Sequence, residues 1–167
     1  MKIDGEPITG QTMRKMRGLF ASGVTVVTTM HEDQLRGVTV SAFSSVSLNP
    51  PLVLICIANE AESKEWLAES GVFAVNILSD EQEFLSERFA ARAPIVNTRF
   101  EGVPYHTSIT GSPILDGSVA WYDCRVEALH EGGDHTIFIG RVAAAGLGAE
   151  GKSPLMYFAN RYVGTKD

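Results

Sequence analysis

Cysteine is scarce in this chain, and the two it has, Cys56 and Cys124, stand far apart without metal-like spacing. That excludes a disulfide framework and a zinc ribbon, and both sit in apolar runs where a reduced thiol packs as a small hydrophobe. Basic residues are also few. A net charge of −6 argues against a broad footprint on nucleic acid or an anionic membrane. The longest apolar run, Leu52–Ala58, falls far short of the ~20 residues of a membrane span. The amino terminus M-K-I-D-G-E-P lacks a signal core, so a cytoplasmic protein is expected. No G-x-G-x-x-G follows a strand, and no P-loop, H-E-x-x-H or G-x-S-x-G occurs. Kinase, zinc-protease and serine-hydrolase readings fall with them. Repeats and low-complexity linkers are missing too, and 167 residues fit one domain, 1–167, able to bury its own core.

What is present reads mainly as strand. Met13, Met16, Leu19 and Phe20 fall at helical spacing, so the periodicity predicts a helix over Thr12–Phe20. Val24–Met30 is β-branched and predicts a strand. A charged turn at His31–Leu35 leads into G-V-T-V-S-A-F-S-S-V-S-L-N-P-P-L, Gly37–Leu52, which reads as one long strand halted by its prolines. Leu52–Ala58 predicts a strand covered on both faces. Ser63 is placed to cap a short helix that Gly71 ends. A strand over Val72–Leu78 precedes Ser79-x-x-Gln82, a capping box that opens a helix to about Ala91. Residues 92–116 read as loop. Val119–Leu129 and His135–Ala145 form a hairpin around Glu131–Asp134. Six or seven strands with few helices and no βαβ alternation predict a closed antiparallel barrel with helical additions.

Three clusters stand out chemically. Thr39 and Ser41 share a strand face, and Ser44, Ser45 and Ser47 follow; so slim a hydroxylated row either faces water or lets a flat ligand lie against the backbone. Gly132-Gly133-Asp134-His135 is a tight turn holding an imidazole at a strand start, or a plain exposed turn. Arg88, with Ser63 and Lys64 near a helix start, suits a phosphate, or is a solvated face. The aromatic tail P-L-M-Y-F-A-N-R-Y-V-G is core or interface unless a ring ligand lies beside it. His31, His106 and His130 have no metal-ligand spacing with His135, so no metal is expected.

In their order along the chain, six pieces resemble the flavin reductase family built on the FMN-binding split barrel. They are F-A-S-G-V-T-V-V-T-T (Phe20–Thr29), the Gly37–Leu52 stretch, F-A-V-N-I-L (73–78), E-R-F-A (87–90), G-D-H (133–135) with I-G-R-V (139–142), and the P-L-M-Y-F…R-Y tail. The resemblance runs from about Met13 to Tyr162. It implies a mainly β split barrel and a homodimer that reduces FMN or FAD with NADH or NADPH. It further implies reduced flavin released to a separate oxygenase component. By the same resemblance Thr39, Ser41, Ala42, Ser44 and Ser45 line the ring and ribityl chain, with the backbone of Cys56, Ile57 and Ala58 beside it. Ser63, Lys64, Arg88 and Phe89 hold the phosphate end, while His135 positions the nicotinamide with Tyr162 nearby. Asn or Ser stands at position 42 in other members, so Ala42 leaves one contact to the ring absent. No essential general base is expected, because flavin and nicotinamide carry the hydride chemistry. Two other readings stay open: a flavoprotein electron carrier that keeps its FMN, and a non-enzymatic module binding another planar ligand or only a partner.

Overall fold

The computed structural model describes residues 5, 7–91, 99–148 and 150–164. Seven strands form one antiparallel sheet: β2 (Thr25–His31), β3 (Gln34–Val40), β4 (Phe43–Leu48), β5 (Pro51–Ala58), β6 (Val72–Ile77), β9 (Ala120–Gly132) and β10 (His135–Leu147). Their spatial order is β3-β2-β6-β9-β10-β5-β4. Two strands adjacent in sequence, β3 and β4, therefore lie at opposite edges. The chain passes between those edges through Ser41 and Ala42. Ser41 O accepts from Phe43 N and Ala42 O from Cys56 N, both at 3.0 Å. No ladder joins β3 to β4, so the sheet is split there and the expected closed barrel is corrected on this point. Gly37–Leu52 is likewise not one strand: it runs through the end of β3, all of β4 and the start of β5.

Alternation places side chains on two sides of the sheet. On β2, Val27 joins a core with Val53, Ile55, Trp66, Leu67, Phe73 and Phe138. Its neighbour Val26 joins a second, with Leu78, Leu85, Phe89, Phe100, Leu115 and Leu155. Buried on both faces, β2 needs the unbroken β-branched run that made it legible. On β5 only Val53, Ile55 and Ile57 are fully buried; Leu54 and Cys56 are half-buried on the other face, which a concavity borders instead of protein. The double coverage expected for this strand is not found.

Smaller elements complete the fold: α1 (Gly10–Arg17), β1 (Ser22–Gly23), α2 (Glu62–Ser70), α3 (Glu83–Phe89), β7 (Tyr105–Thr107), β8 (Pro113–Leu115), β11 (Met156–Phe158) and β12 (Arg161–Val163). The first helix stops short of Leu19 and Phe20 and buries none of its residues. Ala61, not Ser63, is the N-cap of α2, whereas Gly71 ends it with φ 67°. The capping box at Ser79 and Gln82 forms as expected and leads through a 3₁₀ turn into α3. The β9–β10 hairpin also forms, pairing Gly132 with His135. Within the supposed loop, 92–98 lies outside the described residues, and β7 and β8 pair with each other. Asn76 holds β8 in place: its Nδ2 donates to Val26 O (3.0 Å) and its Oδ1 accepts from Leu115 N (2.8 Å).

Gly37 and Phe89 explain two of the quoted motifs by packing. A Cβ at Gly37 would lie 2.6 Å from Phe89 Cε1, so the ring of α3 seats directly on the β3 backbone. Gly37→Ala is expected to cost about 1–3 kcal/mol through overpacking. Denaturant unfolding checks this, and an unchanged midpoint would mean that α3 sits less tightly on β3.

Candidate functional site

The split between β3 and β4 opens into a groove of about 650 Å³. Its wall at the split is Ser41, Ala42 and Phe43, and its floor includes Leu54, Cys56 and Ile77. The segment after α1 supplies Gly18, Phe20, Ala21, Ser22 and Gly23. Tyr157 of β11 and Asn160 close it opposite, with Arg14 and Arg17 on the lip. Asn160 is aimed by a two-residue turn, Ala159-Asn160, with φ of 50° and 63°. Ala159 N donates to Gly18 O at 2.7 Å, which ties this turn to the end of α1. Small residues at the split and after α1 leave the backbone open to close approach by a flat ligand. Phe43, Leu54 and Tyr157 offer it apolar contact.

A side pocket of about 130 Å³ shares Ser41 and Tyr157 with the groove and continues past Thr39, Ser86, Ala90 and Tyr162. Thr39 donates its hydroxyl to Ser86 O at 2.6 Å. Tyr162 donates to Glu87 Oε1 at 2.5 Å and lies 2.8 Å from Ser86 Oγ. These bonds lock the tail hairpin, α3 and β3 around one point.

Of the residues expected at the site, Ser41, Ala42 and Cys56 line the groove, and Thr39 and Tyr162 line the side pocket. Ser44 and Ser45 lie beyond the lip on β4, exposed, with Ser44 Oγ donating to Ser45 O. Ile57 points into the core. Phe89 is fully buried, so its side chain serves the site only by fixing α3. Arg88 donates to Glu101 O at 2.9 Å. Ser63 is buried in the first turn of α2, its Oγ without a hydrogen-bond partner among the described residues; Lys64 follows, half-buried. Neither borders the groove.

His135 begins β10 opposite Ala58, and its Nδ1 lies 2.7 Å from Asp134 Oδ1. The Asp134 carboxyl is held below its ordinary value by that hydrogen bond, then by the charge of His135, with Arg17 adding a smaller share. An Nδ1–H given to Asp134 leaves Nε2 as the ring's acceptor, and His135 lines neither the groove nor the side pocket. Among the described residues no group of His, Cys, Asp or Glu is arranged to hold a metal. Arg14, Arg17 and Asn160 were not anticipated from sequence. The one available signal was the spacing of the arginines, which puts both on one helical face.

The two thiols differ in surroundings. Burial pushes Cys124 up to about 12, with Asp123 adding to it, and burial also raises Cys56, which borders the groove. In the folded protein a maleimide is therefore expected to add once, at Cys56, and to reach Cys124 only after denaturation. Peptide mass mapping reads this; equal labelling of both would contradict the groove wall described.

The sequence profile described as "Flavin reductase like domain" matches residues 16–166. The chain is 37% identical over 158 residues to the reductase subunit HsaB of a flavin-dependent monooxygenase of Mycobacterium tuberculosis, covering 94% of this chain and 83% of that one. It is 43% identical over 159 residues to a flavin reductase (NADH) of Kitasatospora aureofaciens, covering 93% and 82%. Among solved structures, the NADH:FAD oxidoreductase SgcE6 of Streptomyces globisporus superposes with a TM-score of 0.88 at 34% identity, covering 99% and 100%.

Proposed function

The chain belongs to the flavin reductase like domain family, and on that premise we propose that it reduces FMN or FAD with NADH or NADPH and hands the reduced flavin to a separate monooxygenase component. The observation that carries this reading is the groove at the β3–β4 split. It offers open backbone, an apolar floor and two cations to a flat anionic nucleotide.

Bound nicotinamide and flavin would supply the hydride chemistry between them, with one proton from water completing the reduced ring. The chain has to orient and to exclude water. Ser41, Ala42 and the Cys56 backbone hold one face of the ring system, and Phe43 and Tyr157 border it. Thr39, Ser86 and Tyr162 fix the side wall. For the phosphate end the proposed contacts are Ser63, whose buried hydroxyl has no partner among the described residues, and Lys64 on α2, with Arg88 proposed from α3. His135 presents Nε2 to the nicotinamide nucleotide. None of these roles requires a general base; near-attack positioning at ~3–3.5 Å provides the acceleration.

The assembly is read as a homodimer. Met13 and Met16 are 55% and 48% exposed on a helix that buries none of its residues, an apolar face suited to a second copy. No helix among the described residues is long and apolar enough to cross a membrane, and two unpaired thiols suit a reducing, cytoplasmic compartment. Sedimentation is expected to give a dimer that a Met13→Glu, Met16→Glu double variant dissociates. A monomeric parent protein would sink this assignment.

Anaerobic stopped flow with NADH or NADPH against FMN or FAD tests the activity directly: flavin absorbance bleaches in at least one pairing, and no bleaching in any would overturn it. In the active pairing, His135→Ala is expected to raise the nicotinamide KM about tenfold, the loss of one charge-assisted contact. An unchanged KM would remove His135 from that site.

A further inference from the structure

The groove is unusual in charge. The protein carries a net −6, yet the charged residues lining the groove are Arg14 and Arg17, with no carboxylate among its described lining. Both belong to α1, three positions apart, so their Cβ atoms lie ~5–6 Å from each other on one face. Among the described residues neither guanidinium enters an ion pair or a side-chain hydrogen bond. Three of the six other described arginines make side-chain bonds: Arg88 and Arg99 to carbonyls, and Arg141 to Glu127. Cations placed in the last turn also offset the helix dipole, but that role does not require them to border a cavity.

Two features fix what kind of anion fits. A pair of forks at this spacing matches two linked phosphoryl groups better than one, because each fork takes one phosphoryl bidentately. Arg17 also acts electrostatically on Asp134, which pairs with His135, so the arginine lip and the imidazole of the β9–β10 turn lie on the same side of the molecule.

We propose that Arg14 and Arg17 form a clamp for the diphosphate bridge of a dinucleotide, and that this clamp makes the enzyme prefer dinucleotides to mononucleotides. The proposal rests on the flavin reductase reading above. Two dinucleotides carry that bridge, NADH and FAD, and the test separates them.

Arg14→Gln, Arg17→Gln and the double variant are compared with Lys15→Gln, which removes the same charge from the same turn without touching the groove. Thermal unfolding first confirms that each variant is folded. Affinity is read by equilibrium titration, independent of turnover: FAD against FMN by flavin fluorescence, and NAD⁺ against nicotinamide mononucleotide by competition. Loss of about tenfold per arginine in FAD affinity, with FMN affinity falling far less, assigns the clamp to flavin. The same pattern for NAD⁺ over the mononucleotide assigns it to the nicotinamide substrate. Either supports the proposal, as does partial recovery with Arg17→Lys. Equal weakening of mono- and dinucleotides, a matching loss in Lys15→Gln, or no loss at all overturns it. A parent protein that binds both dinucleotides but bleaches no flavin would instead count against the proposed activity and leave the clamp standing.

Discussion

The structure turns on the passage of the chain from one sheet edge to the other through two residues. Because β3 and β4 are consecutive in sequence but outermost on opposite edges, Ser41 and Ala42 must leave the ladder. Peptide groups that leave a ladder need other partners or solvent. Phe43 N and Cys56 N satisfy the two carbonyls, while the other side of the crossing stays open to whatever occupies the groove. A larger side chain at either position would fill the space that the crossing creates. Serine and alanine keep it vacant while adding at most one hydroxyl. The slim row of small residues in Gly37–Leu52 is thus a consequence of topology before it is a binding motif.

Holding such a split open requires bracing around it. Phe89 on Gly37 fastens α3 to β3, and the bonds among Thr39, Ser86, Tyr162 and Glu87 fasten the tail hairpin to both. Across the groove, Ala159 N on Gly18 O fixes the end of α1 to the same hairpin. The side of the groove opposite the split is therefore built from the two ends of the described chain, joined by that bond and by the β1–β11 pairing of Ser22 with Tyr157 and Gly23 with Met156. The Asn76 and Asp123 networks do comparable work at the far side, where Thr110 N and its hydroxyl both donate to the buried Asp123 carboxylate. Buried polar groups so satisfied fix register without the penalty of unmet hydrogen bonds.

Local chemistry was readable wherever a residue acts through its own backbone. The capping box at Ser79–Gln82, the left-handed Gly71 and the Gly132–His135 turn all needed only near neighbours in sequence. Failures came where the partner is distant. Ser63 looked like a cap, but the chain enters α2 two residues earlier at Ala61. The β7–β8 pair was hidden because its anchor is Asn76, far upstream. Leu52–Ala58 looked doubly covered because an apolar run cannot tell a protein-covered face from one bordering a ligand groove. The E-R-F-A motif mixed two jobs, a surface arginine and a core phenylalanine, that burial alone separates. Arg14 and Arg17 were invisible for the same reason: nothing in their spacing says what the helix faces.

Charge explains why the arginine lip has consequences beyond contact. A protein of net charge −6 repels nucleotide phosphates at long range, although salt confines that repulsion to about 8–10 Å. Within that distance the local sign decides, and at the groove mouth it is positive on one lip and neutral elsewhere. Asp134 lies close enough for Arg17 to act on it, yet its charge is directed to His135. The Asp134 carboxylate is therefore already engaged with His135, and the charged groups lining the groove are guanidinium. Attraction confined to one lip orients an asymmetric ligand as well as drawing it in. On the proposed clamp, its anionic end would lie at α1 and its ring at the open backbone of Ser41 and Ala42.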